Sequence, residues 1–404
     1  MRTTRQTFLL VLSLGILNAL TPFTIDLYLP AFPQIAGELD IAVSRMSLSV
    51  SVYFIGFALG QIIYGPLLDR FGRQLPIYVG LAVYLLATLG CMTATSFESL
   101  LIFRFISALG GSAASVGAMT MVRDYFPGKD AAKVFSLLLL VLSASPLLAP
   151  SIGSVMSTYM GWRPLFAVLA ALAIIDIVLV AFAFPRTYSP DRTVSLRLAP
   201  MLRTFREALA EPQFRTYTFA GSLSFAGLFV FVSGSPAAFM DGFGVSAQGF
   251  GLIFAILAGG MILGGQLNHV FLRYGESRHV FRWALQVQVV VGAVFLMSSL
   301  LFGLGLWQTV ALLFVFLLCA GITYPNAAAL ALEPFSKNIG SASSLLGFLQ
   351  LGTGSVAAAI VGLLDIKGSM PLAIVLATCS ATGWAVLKGA QVKRSKALGE
   401  SASA

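Results

Sequence analysis

Twelve apolar runs, each of about 20 residues or more, constrain this 404-residue chain more than any other feature. A helix of about 20 residues crosses the ~30 Å hydrocarbon core of a bilayer. The runs lie near 8–34, 44–68, 75–95, 98–122, 132–157, 162–184, 213–239, 247–272, 279–301, 306–332, 338–364 and 370–390. A water-soluble helical core accounts for neither their length nor their number. The chain is 58% hydrophobic and 10% charged, far from soluble usage. The first run is long, lacks a small-residue cleavage site and is followed by more runs, so it reads as a span rather than a signal peptide. The expected fold class is an all-α polytopic membrane protein.

The net charge of +9 raises the question of nucleic acid, and the placement of the charges answers it. With the N-terminus inside, 21 of the 25 Lys and Arg fall in inside segments and only Arg45, Arg163 and Lys367 fall outside. The remaining one, Arg104, lies within a span. Cytoplasmic loops carry the Lys/Arg excess, so both termini are expected in the cytoplasm and no nucleic-acid partner is implied. Cys91, Cys319 and Cys379 all fall inside spans, match no metal or disulfide spacing, and read as small packing residues.

The longest polar break runs from Pro185 to Pro212. Within it, Thr193 to Glu207 has the pattern of an amphipathic helix on the inner membrane surface. The expected organisation is a six-helix bundle over 1–184, a cytoplasmic linker over 185–212, and a second six-helix bundle over 213–404 with a short basic tail. Internal echoes support two halves. Arg70-Phe-Gly72 after span 2 recurs as Arg273-Tyr-Gly275 after span 8, with Leu272 where Asp69 stood. A segment from Phe126 after span 4 is likewise echoed from Phe335 after span 10. Parallel repeats with a substrate site near the midplane are a transporter architecture. Glycines cluster on spans 2, 8 and 11 (Gly56, Gly60, Gly65; Gly259, Gly260, Gly264, Gly265; Gly347, Gly352, Gly354), where they serve close helix packing or a sliding seam.

Between spans 2 and 3 stands Gly65-Pro-Leu-Leu-Asp69-Arg70-Phe-Gly72-Arg73, an acid and two arginines in one tight turn. Such charge density exceeds what a plain linker requires.

Ionisable groups inside a bilayer are costly unless paired, wet or neutralised. Asp26, Arg104 and Asp176 are the three well inside spans. Asp26 follows Pro22, which is expected to bend span 1 and free the Asn18 carbonyl. A bent, hydroxyl-bearing segment with one acid reads as cavity lining suited to reversible protonation; the plainer reading is an acid ending span 1 near the outer surface. Arg104 sits at comparable depth and either pairs with ionised Asp26 or supports backbone carbonyls. Asp176 reads as a packing acid. In the second half, Ser233-Gly-Ser-Pro236 and Tyr324-Pro325-Asn326 are expected to open the helix ladder. Asn18, Tyr28, Tyr53, Gln61, Phe225, Phe229, Ser233, Tyr324, Asn326 and Gln350 are the candidate lining of an amphipathic substrate cavity.

The turn at Gly65–Arg73 resembles the signature between spans 2 and 3 of the major facilitator superfamily. Arg104 in span 4 and Ala149-Pro150-Ser-Ile-Gly153 in span 5 resemble two signatures of its twelve-span drug:proton antiporters. Finer matches, among them Asp26-Leu-Tyr-Leu-Pro30, Val122-Arg-Asp124 and Gly161-Trp-Arg-Pro-Leu-Phe166, resemble the bicyclomycin-resistance family of bacterial inner-membrane efflux proteins. Two departures stand out: Ser107-Ala108 where Gln-Gly is usual after the span 4 arginine, and Gly153-Ser154 where a glycine pair is usual in span 5.

The resemblance implies two pseudo-symmetric six-helix bundles, alternating access, proton-driven export, no cofactor beyond the proton gradient, and function as a monomer in the bacterial inner membrane. In that scheme Asp26 and Arg104 carry proton coupling. Gly65, Asp69, Arg70, Gly72, Arg73, Pro150 and Gly153 form the gate and switch. Asp69 is expected to latch onto an arginine or helix N-terminus of the other half. The expected function is efflux of small amphipathic molecules; a carrier of one metabolite (a sugar, nucleoside or amino-acid derivative) is the alternative. An enzyme finds little support, since His269 and His279 are the only histidines and no metalloprotease or nucleophile-elbow motif is present.

Overall fold

The computed structural model describes residues 4–126, 129–184, 190, 198–335, 339–364, 366 and 368–403. These form helices and connecting turns, with no strand among them. Lipid offers the backbone no hydrogen-bond partners, so apolar spans of this length must satisfy themselves as helices. Eleven helices among the described residues have the length and apolarity to cross a membrane. A further helix, Lys129–Met160, covers the apolar run 132–157. Their outward faces carry large bare side chains such as Leu86, Ile102, Phe182 and Leu300, which suits a lipid solvent rather than water.

Two compact units are present, Met1–Leu196 with Val245–Ala255, and Arg197–Gly244 with Ile256–Ala404. The first contains α1 (Thr4–Asp26), α2 (Phe32–Glu38), α3 (Ser47–Phe71), α4 (Gln74–Met92), α5 (Phe97–Tyr125), α6 (Lys129–Met160) and α7 (Arg163–Phe182). The second contains α8 (Leu198–Ala210), α9 (Pro212–Pro236), the larger part of α10 (Ala247–Tyr274), α11 (Ser277–Leu301), α12 (Leu306–Leu332), α13 (Ile339–Leu363) and α14 (Met370–Ser403).

Small residues set the seams. In the first unit a Cβ on Gly56 would meet the Phe105 carbonyl oxygen at 2.6 Å, and one on Gly60 would run into Ser112, so α3 lies against α5 only because both positions lack a side chain. Gly80 of α4 and Gly110 of α5 approach each other's backbone in the same way. In the second unit Gly264 of α10 abuts the Leu318 carbonyl and Gly321 of α12 abuts that of Met261. The glycines of spans 2 and 8 thus pack their spans onto spans 4 and 10. Not all do so: Gly65, Gly259, Gly265 and Gly352 have nothing within 4 Å of an added Cβ.

Two expectations differ from the structure, one in span 1 and one at Pro325. Span 1 is not one rod over 8–34. It is α1, a short 3-10 turn over Leu29–Ala31, then α2. The break comes after Asp26 rather than at Pro22, which lies inside α1. One missing amide is tolerated where the flanking turns keep theirs, whereas Pro30 disfavours helix at the residue before it. Likewise α12 runs unbroken through Pro325, whereas α9 gives way after Pro236 to a π-helical turn over Ala237–Gly242, so the ladder does open at the end of span 7. The amphipathic segment is helical from Leu198 to Ala210 and packs against α9 and α13 with Phe205 and Ala208 buried; its start at 193–197 lies outside the described residues. Parts of the second echo (127–128 and 336–338) also lie outside them.

A buried polar centre in the first unit and its candidate functional residues

The centre begins with where α1 stops. Leu27 still donates to the Phe23 carbonyl at 3.0 Å, but the helix has ended by Tyr28, so the Thr24 carbonyl lacks its i+4 amide. Arg104 takes that amide's place: its Nη1 donates to the Thr24 carbonyl at 3.1 Å. The Thr24 hydroxyl lies 2.6 Å from the Leu20 carbonyl and 2.7 Å from the Tyr84 hydroxyl, which ties α1 to α4.

Arg104 is wholly buried. Its guanidinium lies 4.3 Å from the centre of the Tyr28 ring and 4.4 Å from that of Tyr53, so two aromatic faces replace water around the cation. Each such contact contributes about 0.5–2 kcal/mol, more where solvent is excluded. Tyr28 is itself held by Ser49, 2.8 Å from its hydroxyl, and Ser49 donates to the Met46 carbonyl at 2.6 Å. The cation is therefore positioned by α1, α3 and α5 together.

Asp26, the last residue of α1, is 4% exposed. No ion pair joins it to Arg104 among the described residues; here the arginine serves a backbone carbonyl instead. The same helices carry polar atoms without partners. Arg104 Nε and Nη2 and both amide atoms of Asn18 are buried without a hydrogen-bond partner, while the buried Tyr53 hydroxyl lies within reach of Thr21 and Thr24. Buried polar groups are nearly always paired. Unpaired donors and acceptors on α1 and α5, on the same helices as a buried acid and a buried arginine, are chemistry prepared for a proton, water or the polar part of a ligand. Asp176, on α7, is fully buried and both carboxyl oxygens are likewise unpartnered.

Gly153 of α6 abuts the carbonyl of Leu27, the residue directly after Asp26, and any side chain there would collide with it. Pro150, one turn earlier in α6, is buried. The span 5 signature thus packs on the broken end of α1.

The charged turn is built around Arg73. Gly72 ends α3 with φ 84°, a conformation that costs an L-residue but not glycine, and this brings the chain round into α4. Arg73 Nη1 then reaches Asp69 at 2.6 Å, while Nε and Nη2 reach the two oxygens of Asp124 at 2.7 and 3.4 Å. Burial pulls the Arg73 pKa down, yet the Asp124 and Asp69 bonds outweigh it, and the guanidinium is held above its ordinary value. Both described partners lie in the first unit. Arg70 sits near the Phe71 ring, at 5.8 Å from its centre. In the degenerate copy Gly275 lacks the positive φ that Gly72 has.

The second unit brings some cavity candidates together and separates others. Tyr324 stacks on Phe225 with centroids 4.3 Å apart, and Phe229 meets Phe225 edge-on at 5.5 Å. Gly354 of α13 makes room for the Phe229 ring, and Gln350, one turn before it, is 6% exposed with Nε2 unpartnered. Asn326, in contrast, is spent on packing: it accepts from Ser277 at 2.6 Å and donates to Asn268 at 2.6 Å and to the Ile322 carbonyl at 2.7 Å. Ser233 is fully buried, and Gln61 in the first unit is half-buried.

Sequence reasoning missed Tyr84, Ser49 and Gln288 as network members. Gln288 accepts from Ser224 at 2.5 Å, and Ser224 also meets Thr323 at 2.6 Å. An uncharged amide in the middle of span 9 was the available signal. Tyr84 and Ser49 gave none, since hydroxyls are common in spans.

A bundle of apolar helices with glycine seams, a buried arginine and an acid-flanked turn defines a polytopic membrane carrier rather than an enzyme. The Major Facilitator Superfamily model matches residues 14–389, and the chain belongs to that family of membrane transporters of small molecules. It is 30% identical over 379 residues to the "Bicyclomycin resistance protein homolog" of Haemophilus influenzae, covering 94% of this chain and 95% of that relative. It is 28% identical to the "Chloramphenicol resistance protein" of Pseudomonas aeruginosa, covering 96% and 92%. Among solved structures, a bacterial homologue of the human lysosomal transporter Spinster, inward-facing and unoccupied, superposes with a TM-score of 0.69 at 18% identity, covering 96% of each chain, which concerns the fold alone.

Proposed function

We propose that this transporter exports small amphipathic compounds, antibiotics among them, in exchange for protons by alternating access. The observation that carries the reading is the set of buried polar groups in the first unit: Asp26 and the orphaned amide of Asn18 on α1, with Arg104 of α5 bound to the carbonyl of Thr24. The names of the relatives support drugs as the substrate class. In the proposed cycle Asp26 takes up a proton from outside, substrate leaves in competition with it, and the proton is released inside. Arg104, held by its two rings and the Thr24 carbonyl, fixes the end of the helix that carries the acid. The Lys/Arg distribution supports both termini on the cytoplasmic side of a bacterial inner membrane. The aromatic pair Phe225–Tyr324 supplies an apolar wall suited to amphipathic substrates.

The test is uptake into proteoliposomes of inverted orientation with an imposed pH gradient, using labelled chloramphenicol, bicyclomycin and ethidium as probes. Accumulation that needs the gradient and collapses with a protonophore is expected. Uptake of none of them, with gradient-driven movement of a single sugar or nucleoside, would replace this reading by a dedicated metabolite carrier.

A further inference from the structure

A cavity of about 870 Å³ lies in the second unit. Its walls come from the first turns of α9 and α11 and the stretch of α14 from Ala385 to Gln391. All three are ends of spans: α9 and α11 enter their apolar runs here, and the apolar run of α14 stops at Val392. The cavity therefore opens at the level of lipid headgroups, on the face that the proposed topology makes cytoplasmic.

Its chemistry is divided. The α14 wall is small and apolar (Ala385, Val386, Gly389, Ala390), while α9 and α11 supply Arg215 and Arg278. Neither arginine is held in an ion pair among the described residues. Arg278 is the second residue of α11, so the positive end of that helix dipole lies at the same place. One acid, Glu211, also lines the cavity, but its carboxylate accepts from the Gln213 amide at 3.3 Å as the cap of α9. Gln213, Thr216 and Gln391 add neutral hydrogen-bonding groups. On the same stretch of α14, Lys388 lies over the Trp384 ring at 5.0 Å, a pair suited to the membrane interface.

We propose that this cavity binds the headgroup phosphate of an acidic phospholipid, with Arg215 and Arg278 as its counter-charges and the small-residue face of α14 taking the upper acyl chain. Two unpaired guanidinium groups select an anion, and an apolar wall ending at the interface selects one that carries a hydrocarbon tail. A soluble phosphate would use the first feature and gain nothing from the second.

The test is native mass spectrometry of the full-length protein with phosphatidylglycerol and with phosphatidylcholine of the same chains. Wild type should retain phosphatidylglycerol preferentially. R215Q/R278Q should hold it roughly 30-fold more weakly, at ~1 kcal/mol for each basic group lost. R215K/R278K, which keeps both charges, should stay within a few-fold of wild type, and it carries the test should the glutamine variant not fold. Equal retention of the two lipids, or unchanged retention by R215Q/R278Q, would overturn the site. Displacement of the lipid by millimolar glycerol phosphate would overturn the lipid as its occupant.

Discussion

The Arg104 guanidinium donates to the backbone carbonyl of Thr24 at 3.1 Å, two residues before Asp26, at the point where α1 gives up its regular hydrogen bonding. That single bond ties α5 to the end of the helix that carries the acid of the first span, with no ion pair between the cation and that acid among the described residues. It also makes the local backbone of α1 depend on a side chain from α5.

Arg104→Lys should separate charge from shape. A lysine keeps the cation but not the planar group that lies over both Tyr28 and Tyr53 while reaching the Thr24 carbonyl. About 1–3 kcal/mol of local order should be lost, with gradient-driven export reduced at least several-fold. Export by Arg104→Lys at the wild-type rate would mean that charge alone is required.

Gly153→Val should be damaging because its side chain would collide with the Leu27 carbonyl. Overpacking of this kind costs about 1–3 kcal/mol, and it falls on the broken end of α1 next to Asp26. Gly352→Val, at a position with open space, is the matched control and should cost far less stability. Thermal denaturation in detergent reads both. Equal melting of the two variants would remove the close-packing argument.

Asp124→Asn should destabilise the first unit more than Asp69→Asn. Asp124 offers both oxygens to Arg73 and is 22% exposed, whereas Asp69 offers one and is 49% exposed. The expected losses are about 1–3 kcal/mol for Asp124→Asn and under about 1 kcal/mol for the solvent-screened Asp69→Asn. Melting curves in detergent showing the reverse order would assign the anchoring role to Asp69.

The spans were legible in the sequence because bilayer thickness is a one-dimensional constraint that a run of apolar residues meets or fails. Asp26 and Arg104 stood out for the same reason: a charge inside such a run is visible without coordinates. The partners were not visible. Asp124 joins Arg73 across fifty intervening residues, and Tyr84 reaches Thr24 from another helix. A proline marks a missing donor, but whether the helix breaks there depends on the turns around it, and the real break waited for Leu27 and Pro30.

Proton release on substrate binding tests the central claim most directly. The purified protein in weakly buffered detergent, titrated with bicyclomycin, chloramphenicol or ethidium, should acidify the medium as substrate displaces the proton from Asp26. Asp26→Asn should bind substrate without releasing protons. Equal proton release by Asp26→Asn and wild type would contradict the account and move the coupling to another group, with buried Asp176 the next to test.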